Sequence, residues 1–518
     1  MKPILVFASL LLPFAYGATP AAAAVKPHAL FSDHMVLQSG TAVPVFGTAD
    51  PGEKVTVAVA GRTATATAGA NGRWEARLSG LKAGGPFELT IASDRMAAPL
   101  VIRDVLVGEV WIGSGQSNMQ FPVSKAHASY AGLLNEEQEI AAANYPQIRM
   151  FTGKPTKSYD PQTEIGGEWL VCSPATVPNF SAVGYLFARD LQKALNVPVG
   201  VITVAFGAST AEAWISREAM AADPKLRPML TGFDASVAYY RATPRGPASG
   251  APQRPTPINK PRTPVTRLTD PVQDQHFPTV LFNGMINPII PYAMRGLIWY
   301  QGESIVGGTP GLDLYGHVQQ VLIRDWRKRW GEGNFPFYIV QLPGQENISN
   351  NPRIREEQMA VLSLPHTAMA VTIDLGEARN VHPHNKEPLG DRLTRIALAN
   401  VYGRKIEFSG PMYQGMKLGH GEVRITFKHA EGLVARNGPL KGFQLAGADR
   451  KFVDADARVE GDIVVVSSPS VPSPAAVRYA WFDYPEGKGC NLYNGAGLPA
   501  APFRSDTWDY QIPGLVED

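Results

Sequence analysis

An apolar run that ends in a glycine-rich turn, at residues 105–119, most constrains what this chain can fold into. Residues 105–112 are rich in β-branched side chains, which is typical of a buried parallel strand. Ligands of open α/β sheets bind at the carboxyl ends of strands, so we interpret Ser117, in the turn at 113–118, as a candidate nucleophile. Ordinary turn chemistry explains this turn about equally well. Met119 stands where a lipase-type nucleophile elbow has its last glycine.

The composition is that of a globular protein with more than one domain. The chain has 518 residues, a net charge of +2 and no dense Lys/Arg cluster, which argues against nucleic-acid binding. A basic start followed by an apolar stretch and alanines, over residues 1–24, predicts a secretory signal peptide. No later segment predicts a membrane span, so we expect an exported protein, periplasmic or secreted. Cys172 and Cys490 could pair there, but two cysteines are not a disulfide framework.

The pattern along the chain predicts an α/β domain accompanied by β modules. Short alternating runs separated by turn residues predict an N-terminal β-sandwich over residues 25–104. Alternating strands and helices over residues 105–404 predict a doubly wound parallel sheet. Short β runs over residues 405–477 are interpreted as an inserted β module, after which residues 478–518 rejoin the catalytic domain. A Pro-, Gly- and Arg-rich stretch at 241–267 lacks periodicity and is interpreted as a loop or partly disordered insertion.

Four turns follow predicted strands of this sheet, so they are expected to meet at one rim. An esterase needs a nucleophile, a base and donors for the oxyanion. Ser117 is the candidate nucleophile, and His382 is the candidate base because an imidazole titrates near neutral pH. The candidate oxyanion donors are the main-chain N–H groups of Ser117 and Gly207 and the side-chain amide of Gln301, each contributing roughly 3 kcal/mol in known enzymes. Gln116 is grouped with them as an oxyanion or substrate-binding residue.

Each of these signals is weak by itself. A single histidine before a proline is more often structural than catalytic, and the Gln301 turn with Glu303 would also suit a salt bridge. His382 and His384 could instead be the ligands of a metallohydrolase, but no carboxylate stands at a metal-ligand spacing. No metal and no other cofactor is therefore predicted.

Taken together, these segments resemble the sialate O-acetylesterase-like branch of the SGNH/GDSL hydrolases, which includes carbohydrate acetylesterases acting on plant polysaccharides. The resemblance is carried by residues 30–38, 108–119, 206–214, 282–288, 298–304, 382–386 and 491–503. It implies an SGNH-type doubly wound sheet with jelly-roll-like β modules and a metal-free Ser/His mechanism. The implied substrate is an acetylated oligo- or polysaccharide, and sialic acid, xylan and xyloglucan decorations all fit.

One departure from that family concerns the acid partner of the histidine. Related sequences usually carry an aspartate two or three residues before it, where this chain has Asn380 and Arg379. An asparagine oxygen can orient an imidazole, but it cannot neutralise the imidazolium. Glu303 and Asp374 are the alternative acids and Glu377 is a weaker one; Glu303 is favoured over Asn380. The other interpretations are a Ser–His dyad, or a carbohydrate-binding protein with a degenerate site.

Overall fold

The computed structural model describes residues 25–243, 269–305, 311–346, 350–419 and 421–508. The expected signal peptide lies outside the described residues, as does most of the Pro- and Arg-rich stretch at 241–267. No helix within the described ranges is long and apolar enough to cross a membrane. The structure confirms an α/β core accompanied by β-rich modules.

The N-terminal module is built from two small sheets. Its strands are β1 (Lys26–Pro27), β2 (Val36–Gln38), β3 (Val43–Thr48), β4 (Lys54–Val59), β5 (Arg62–Thr67), β6 (Arg73–Leu78), β7 (Gly84–Ser93) and β8 (Leu100–Gly115). Strands β1, β3 and β6 form one sheet, and the antiparallel strands β5, β4 and β7 continue into the first half of β8. Strand β8 therefore runs through the domain boundary that the sequence places at 104/105.

The core is a largely parallel sheet in which β8 is central. Its further strands are β9 (Tyr145–Thr152), β10 (Trp169–Cys172), β11 (Val199–Ala205), β12 (Gly296–Tyr300), β13 (Phe337–Val340) and β14 (Thr367–Ala370), in the order β10-β9-β11-β8-β12-β13-β14. All neighbouring pairs are parallel except β9 with β10. The chain moves from β8 outward on one side and then returns to β12 on the other. Strand order thus reverses at β8, which is where open α/β sheets bind ligands.

Helices cover both faces of this sheet. They are α1 (Ser117–Gln120), α2 (Glu136–Ala142), α3 (Ala182–Leu195), α4 (Arg217–Ala222), α5 (Arg227–Ala242), α6 (Tyr315–Trp330), α7 (Asn351–Met359) and α8 (Glu387–Asn400). Trp111 of β8 packs against Phe187 of α3, with ring centroids 5.0 Å apart. Trp299 of β12 is in register with Ser114 of β8. Ser114 is three residues from Trp111, and side chains alternate between the two faces of a strand, so Trp299 points to the face opposite Trp111. There its ring lies 5.8 Å from that of Trp326 on α6.

The C-terminal β module contains two four-stranded sheets and one two-stranded sheet. Its strands are β15 (Met412–Leu418), β16 (Glu422–Lys428), β17 (Val434–Ala435), β18 (Phe443–Ala446), β19 (Val453–Asp454), β20 (Asp456–Glu460), β21 (Ile463–Ser467), β22 (Ala476–Tyr479), β23 (Leu492–Tyr493) and β24 (Phe503–Arg504). The expected boundary at 477/478 falls inside β22, which pairs with β18 and β24 of this module. Residues 482–483, just beyond β22, contact the core by accepting hydrogen bonds from Arg355.

Candidate active site

Ser117 is the first residue of α1, directly after the central strand β8. The strand ends at Gly115, whose φ of +136° is unfavourable for residues with a side chain. A Cβ atom at Gly115 would lie 2.1 Å from the carbonyl oxygen of Tyr300 on β12. The N–H of Gln116 donates to the same carbonyl at 2.9 Å. Glycine is therefore required for β8 and β12 to approach each other closely beneath the serine.

His382 lies on the loop between β14 and α8, and its ring reaches the serine. The distance from His382 Nε2 to Ser117 Oγ is 2.7 Å, although the two residues are 265 positions apart in the chain. This distance is within the range of a hydrogen bond between a nucleophile and its base. The turn after β8 and the loop after β14 therefore meet, as the strand-end pattern predicts.

An aromatic contact holds the ring of His382, and hydrogen bonds to a neighbouring side chain hold its main chain. Tyr130 packs on the imidazole with ring centroids 4.5 Å apart. The Asn380 side chain accepts a hydrogen bond from the His382 N–H at 3.0 Å and donates one to the His382 carbonyl at 2.9 Å. Asn380 thus fixes the backbone that carries the base. Burial lowers the pKa of His382 to about 4, with further lowering by Lys386 and His384.

The candidate carboxylates have partners other than the imidazole. Glu303 Oε1 accepts from Asn118 Nδ2 at 2.5 Å. Glu377 Oε1 lies 2.9 Å from His384 Nδ1, and Asp374 forms an ion pair with Arg392 at 2.6 Å. In the described part of the chain, no carboxylate hydrogen-bonds the ring of His382. Glu303 is linked to the loop of His382 only indirectly, because its partner Asn118 also donates to the Val381 carbonyl at 2.9 Å.

Glu303 is half-buried, and burial raises the pKa of its carboxyl group above the ordinary value. Its second oxygen, Oε2, is buried without a hydrogen-bond partner. The carboxyl group borders a cavity that is also lined by Leu342, Pro343, Gly344, Gln345, Asn351, Asn380 and Val381. Glu303 therefore has an unused acceptor beside the loop of the candidate base.

The candidate oxyanion donors differ in how they are engaged. Over the described residues, the N–H of Ser117 makes no hydrogen bond. The N–H of Gly207 donates to Gln120 Oε1 at 3.1 Å. The side-chain amide of Gln301 donates to Gln116 Oε1 at 3.1 Å and to the Ser209 carbonyl at 2.9 Å, so both of its hydrogens are used. Gln301 and Gln116 therefore brace the floor of the site in this structure.

The two histidines of the loop are engaged differently. His382 faces Ser117, whereas His384 Nδ1 faces Glu377 and its main-chain N–H donates to the same carboxylate at 2.6 Å. Across the ranges that the structure describes, no group of three or more His, Cys, Asp and Glu side chains is arranged to hold a metal ion.

Comparison with known proteins relates the chain to acetylesterases. The family profile "Carbohydrate esterase, sialic acid-specific acetylesterase" matches residues 278–399. The sialate O-acetylesterase of Mus musculus is 30% identical over 554 residues, covering 97% of this chain and 98% of the mouse protein. The chain belongs to the sialate O-acetylesterase family. It is accordingly a carboxylic ester hydrolase.

Two further relatives also match over more than nine tenths of this chain. The sialate O-acetylesterase of Rattus norvegicus is 28% identical, covering 91% of this chain and 92% of the rat protein. The crystal structure of a carbohydrate acetylesterase from Xanthomonas citri superimposes with a TM-score of 0.79 at 33% identity. That match covers 93% of this chain and 100% of the other.

The sequence alone assigns no role to four residues that line or brace the site. They are Asn118, Gln120, Tyr130 and Lys386. Asn118 and Lys386 stand in segments that carry the family resemblance, which is the signal that could have found them. Tyr130 lies in an irregular segment after α1, where no periodic pattern indicates which side chains face inward.

Proposed function

We propose that this esterase is an exported carbohydrate O-acetylesterase that works through an acetyl-enzyme on Ser117. The observation that carries the proposal is the 2.7 Å contact between Ser117 Oγ and His382 Nε2 at the reversal of strand order. The same strand order supports the interpretation of the core as an SGNH-type doubly wound sheet. Similarity to sialate O-acetylesterases and to a carbohydrate acetylesterase supports an acetylated glycan as the substrate.

The mechanism has two acyl-transfer steps. Ser117 Oγ attacks the acetyl carbonyl while its proton passes to His382 Nε2, which forms a tetrahedral oxyanion. The intermediate collapses by breaking the bond to the sugar oxygen, which takes the proton from His382. Water then attacks the acetyl-enzyme with His382 again as the base, and acetate leaves as Ser117 regains its proton. This sequence consumes one water molecule and requires no metal or redox partner.

The oxyanion is assigned to donors around the start of α1. The N–H of Ser117 is the donor with no competing acceptor among the described residues. The N–H of Gly207 joins it when the substrate oxygen replaces Gln120 Oε1, which now occupies that donor. Gln301 was predicted as a third donor, and it would have to release Gln116 or Ser209 to reach an oxyanion. The two main-chain groups are therefore the primary candidates.

The proposal treats the pair as a Ser–His dyad whose base is oriented without a hydrogen-bonded carboxylate. Asn380 fixes the main chain of His382, and Tyr130 packs on its ring. Glu303 stays a candidate for indirect support through Asn118 and Val381. Asn380→Ala and Glu303→Gln, compared side by side for kcat, separate the two: the contacts predict the larger loss in Asn380→Ala. A larger loss in Glu303→Gln would restore the carboxylate as the partner of His382.

Ser117→Ala tests the nucleophile. We expect it to abolish acetate release from a chromogenic acetate, and we expect the acetyl adduct seen by mass spectrometry after rapid quenching of the wild type to disappear. Ser129→Ala is the matched control, because Ser129 is exposed on the neighbouring segment and should keep full activity. Turnover retained in Ser117→Ala would remove this serine from the mechanism.

A carbohydrate-binding protein with a degenerate site is the second candidate function. It is favoured by the absence, in the described residues, of a carboxylate hydrogen-bonded to the ring of His382. Acetate release from a panel of acetylated sialic acids, xylan and xyloglucan oligosaccharides decides between the two and identifies the glycan. Glycan binding without acetate release from any member would support the binding protein.

Export is tested separately from catalysis. Residues 1–24 have the basic start and apolar stretch of a signal peptide. N-terminal sequencing of the protein recovered outside the cytoplasm should then find a chain that begins near residue 25. An uncleaved start, recovered from the cytoplasm, would contradict export.

A further inference from the structure

A buried lysine stands behind the two candidate catalytic loops. Lys386 is 2% exposed and directly precedes α8. Its ammonium group donates to Asn118 Oδ1 at 2.5 Å. The same group lies 4.9 Å from the ring centre of Phe121 and 5.2 Å from that of Tyr300. Lysine is rarely buried unless it is paired, so this position calls for a functional explanation.

The partner of Lys386 joins the turn of the serine to the loop of the histidine. Asn118 directly follows Ser117, and its amide nitrogen donates to the carbonyl of Val381, which directly precedes His382. The same nitrogen donates to Glu303 Oε1. Because the lysine can only donate, it fixes the amide with its oxygen toward Lys386 and its nitrogen toward Val381 and Glu303. The ammonium group thereby helps to fix the position of the turn of Ser117 relative to the loop of His382.

Charge gives the lysine a second effect. Glu303 from the segment after β12 and Glu377 from the loop after β14 act on the charge of Lys386, and Lys386 in turn acts on His382, as His384 also does. Burial lowers the pKa of Lys386 itself to about 7, while Glu303 and Glu377 act in the opposite direction. At acidic pH, where His382 titrates, the lysine is therefore positively charged and disfavours an imidazolium beside it.

We propose that Lys386 is a positioning residue with two roles: its ammonium group orients Asn118, and its positive charge opposes protonation of His382. This inference rests on the proposed roles of Ser117 and His382. Together with burial of the ring, the charge of Lys386 keeps a histidine without a hydrogen-bonded carboxylate a neutral base in acid. Burial lowers the pKa of His382 to about 4, so we expect activity to be lost as the pH falls through that range and the imidazole becomes protonated. Removing the charge of Lys386 should move that loss to higher pH.

The test compares Lys386→Met with Lys386→Arg in the full-length esterase. For Lys386→Met we expect kcat on a chromogenic acetate to fall about tenfold or more, because Asn118 loses its donor. We expect the acid limb of kcat/KM to move up by about one pH unit, because the opposing charge is gone. Lys386→Arg keeps the charge, so its acid limb should stay near that of the wild type even if kcat falls. Lys193→Met is the control, since Lys193 is exposed and its ammonium group lies 5.4 Å from the ring centre of Tyr145 on the outer part of the sheet.

An acid limb that stays at the wild-type pH in Lys386→Met overturns the proposal, whatever happens to kcat, because a merely structural lysine gives that result. If that variant fails to fold, NMR titration of His382 in the wild type and in Lys386→Gln, whose amide can still donate to Asn118, decides instead. A higher midpoint in Lys386→Gln than in the wild type supports the proposal, and equal midpoints overturn it. Failure here is distinguishable from failure of the dyad: an active Ser117→Ala removes the dyad, whereas an inactive Ser117→Ala with an unmoved limb in Lys386→Met removes only the lysine.

Discussion

A side chain at position 207 would enter the space beside the nucleophile. A Cβ atom on Gly207 would lie 3.6 Å from the Cβ of Ser117 and 3.4 Å from Gln120 Oε1. The φ angle of Gly207 is outside the left-handed region, so alanine can adopt its backbone conformation. Substitution there should therefore disturb the acyl site while leaving the fold intact.

We expect Gly207→Ala to lower kcat/KM for a chromogenic acetate by about 10- to 100-fold, because the added methyl group crowds the oxyanion position. The melting temperature should stay close to that of the wild type. Gly232→Ala is the matched control: Gly232 lies on α5, and no atom within 4 Å opposes a Cβ there. That control should keep full activity and gain up to about 1 kcal/mol in the free energy of unfolding. Equal activity of both variants would place the oxyanion elsewhere.

For single residues, the sequence predicts where in the fold a residue lies better than it predicts which residues it contacts. The meeting of Ser117 and His382 follows from strand-end turns, because parallel strands place their carboxyl ends at one rim. The hydrogen bonds of Gln301 and the burial of Lys386 depend on tertiary neighbours that no local pattern encodes. A lysine just before a helix has the same sequence pattern whether it faces water or Asn118. The partners of these polar residues therefore had to come from the structure.

Helix α7 carries an arginine that joins the core to the C-terminal β module. Arg355 is fully buried and donates four hydrogen bonds, each 2.8–2.9 Å long, to main-chain carbonyl groups. The acceptors are the carbonyl oxygens of Leu342, Pro343, Phe482 and Asp483. Lysine cannot reproduce the planar fork of donors that reaches these groups.

We therefore expect Arg355→Lys to lower the free energy of unfolding by about 3 kcal/mol, because buried carbonyl groups lose their donors. Arg353→Lys on the same helix is the control. Its ion pairs with Asp313, Glu356 and Glu357 lie nearer the surface, so its loss should stay within about 1 kcal/mol. Urea unfolding of the two variants in parallel gives the comparison. Similar losses in both would show that the hydrogen bonds of Arg355 add no more to stability than the more exposed ion pairs of Arg353.

Helices and strands whose apolar residues recur with a clear period can be predicted from the sequence. Which module each element belongs to is harder to predict. Apolar residues at helical spacing, Phe187, Leu191, Ala194 and Leu195, predict a helix over residues 182–195, and α3 has those bounds. The period of a strand, however, does not reveal that β8 is shared between two layers. Four of its first five residues are exposed or partly buried, and every residue from Val105 onward is buried. In the sequence, a change in the pattern of polar and apolar residues along one continuous strand looks the same as a boundary between two domains.

At the scale of the whole molecule, the N-terminal module is packed into the catalytic core. Val36 to Gln38 pair in parallel with the middle of β8. Tyr292 of the core donates to the Val36 carbonyl at 2.7 Å, and its ring lies 5.4 Å from that of Phe31. Trp169 of β10 donates to the Leu30 carbonyl at 2.9 Å. These contacts bury core aromatic residues beneath the module, so the two parts should unfold together.

Deletion of residues 25–99 tests this expectation. It would leave the first half of β8 unpaired and expose Trp169, Tyr292 and the apolar residues of β8 that the module covers, so we expect the shortened esterase to be insoluble and inactive. The full-length protein should show one calorimetric unfolding transition for the module and the core. A protein that lacks only residues 1–24 is the control and should stay soluble and active. A soluble, active esterase without residues 25–99 would instead mean that β8 is stable without its module partners, and that the module was added to a core that folds by itself.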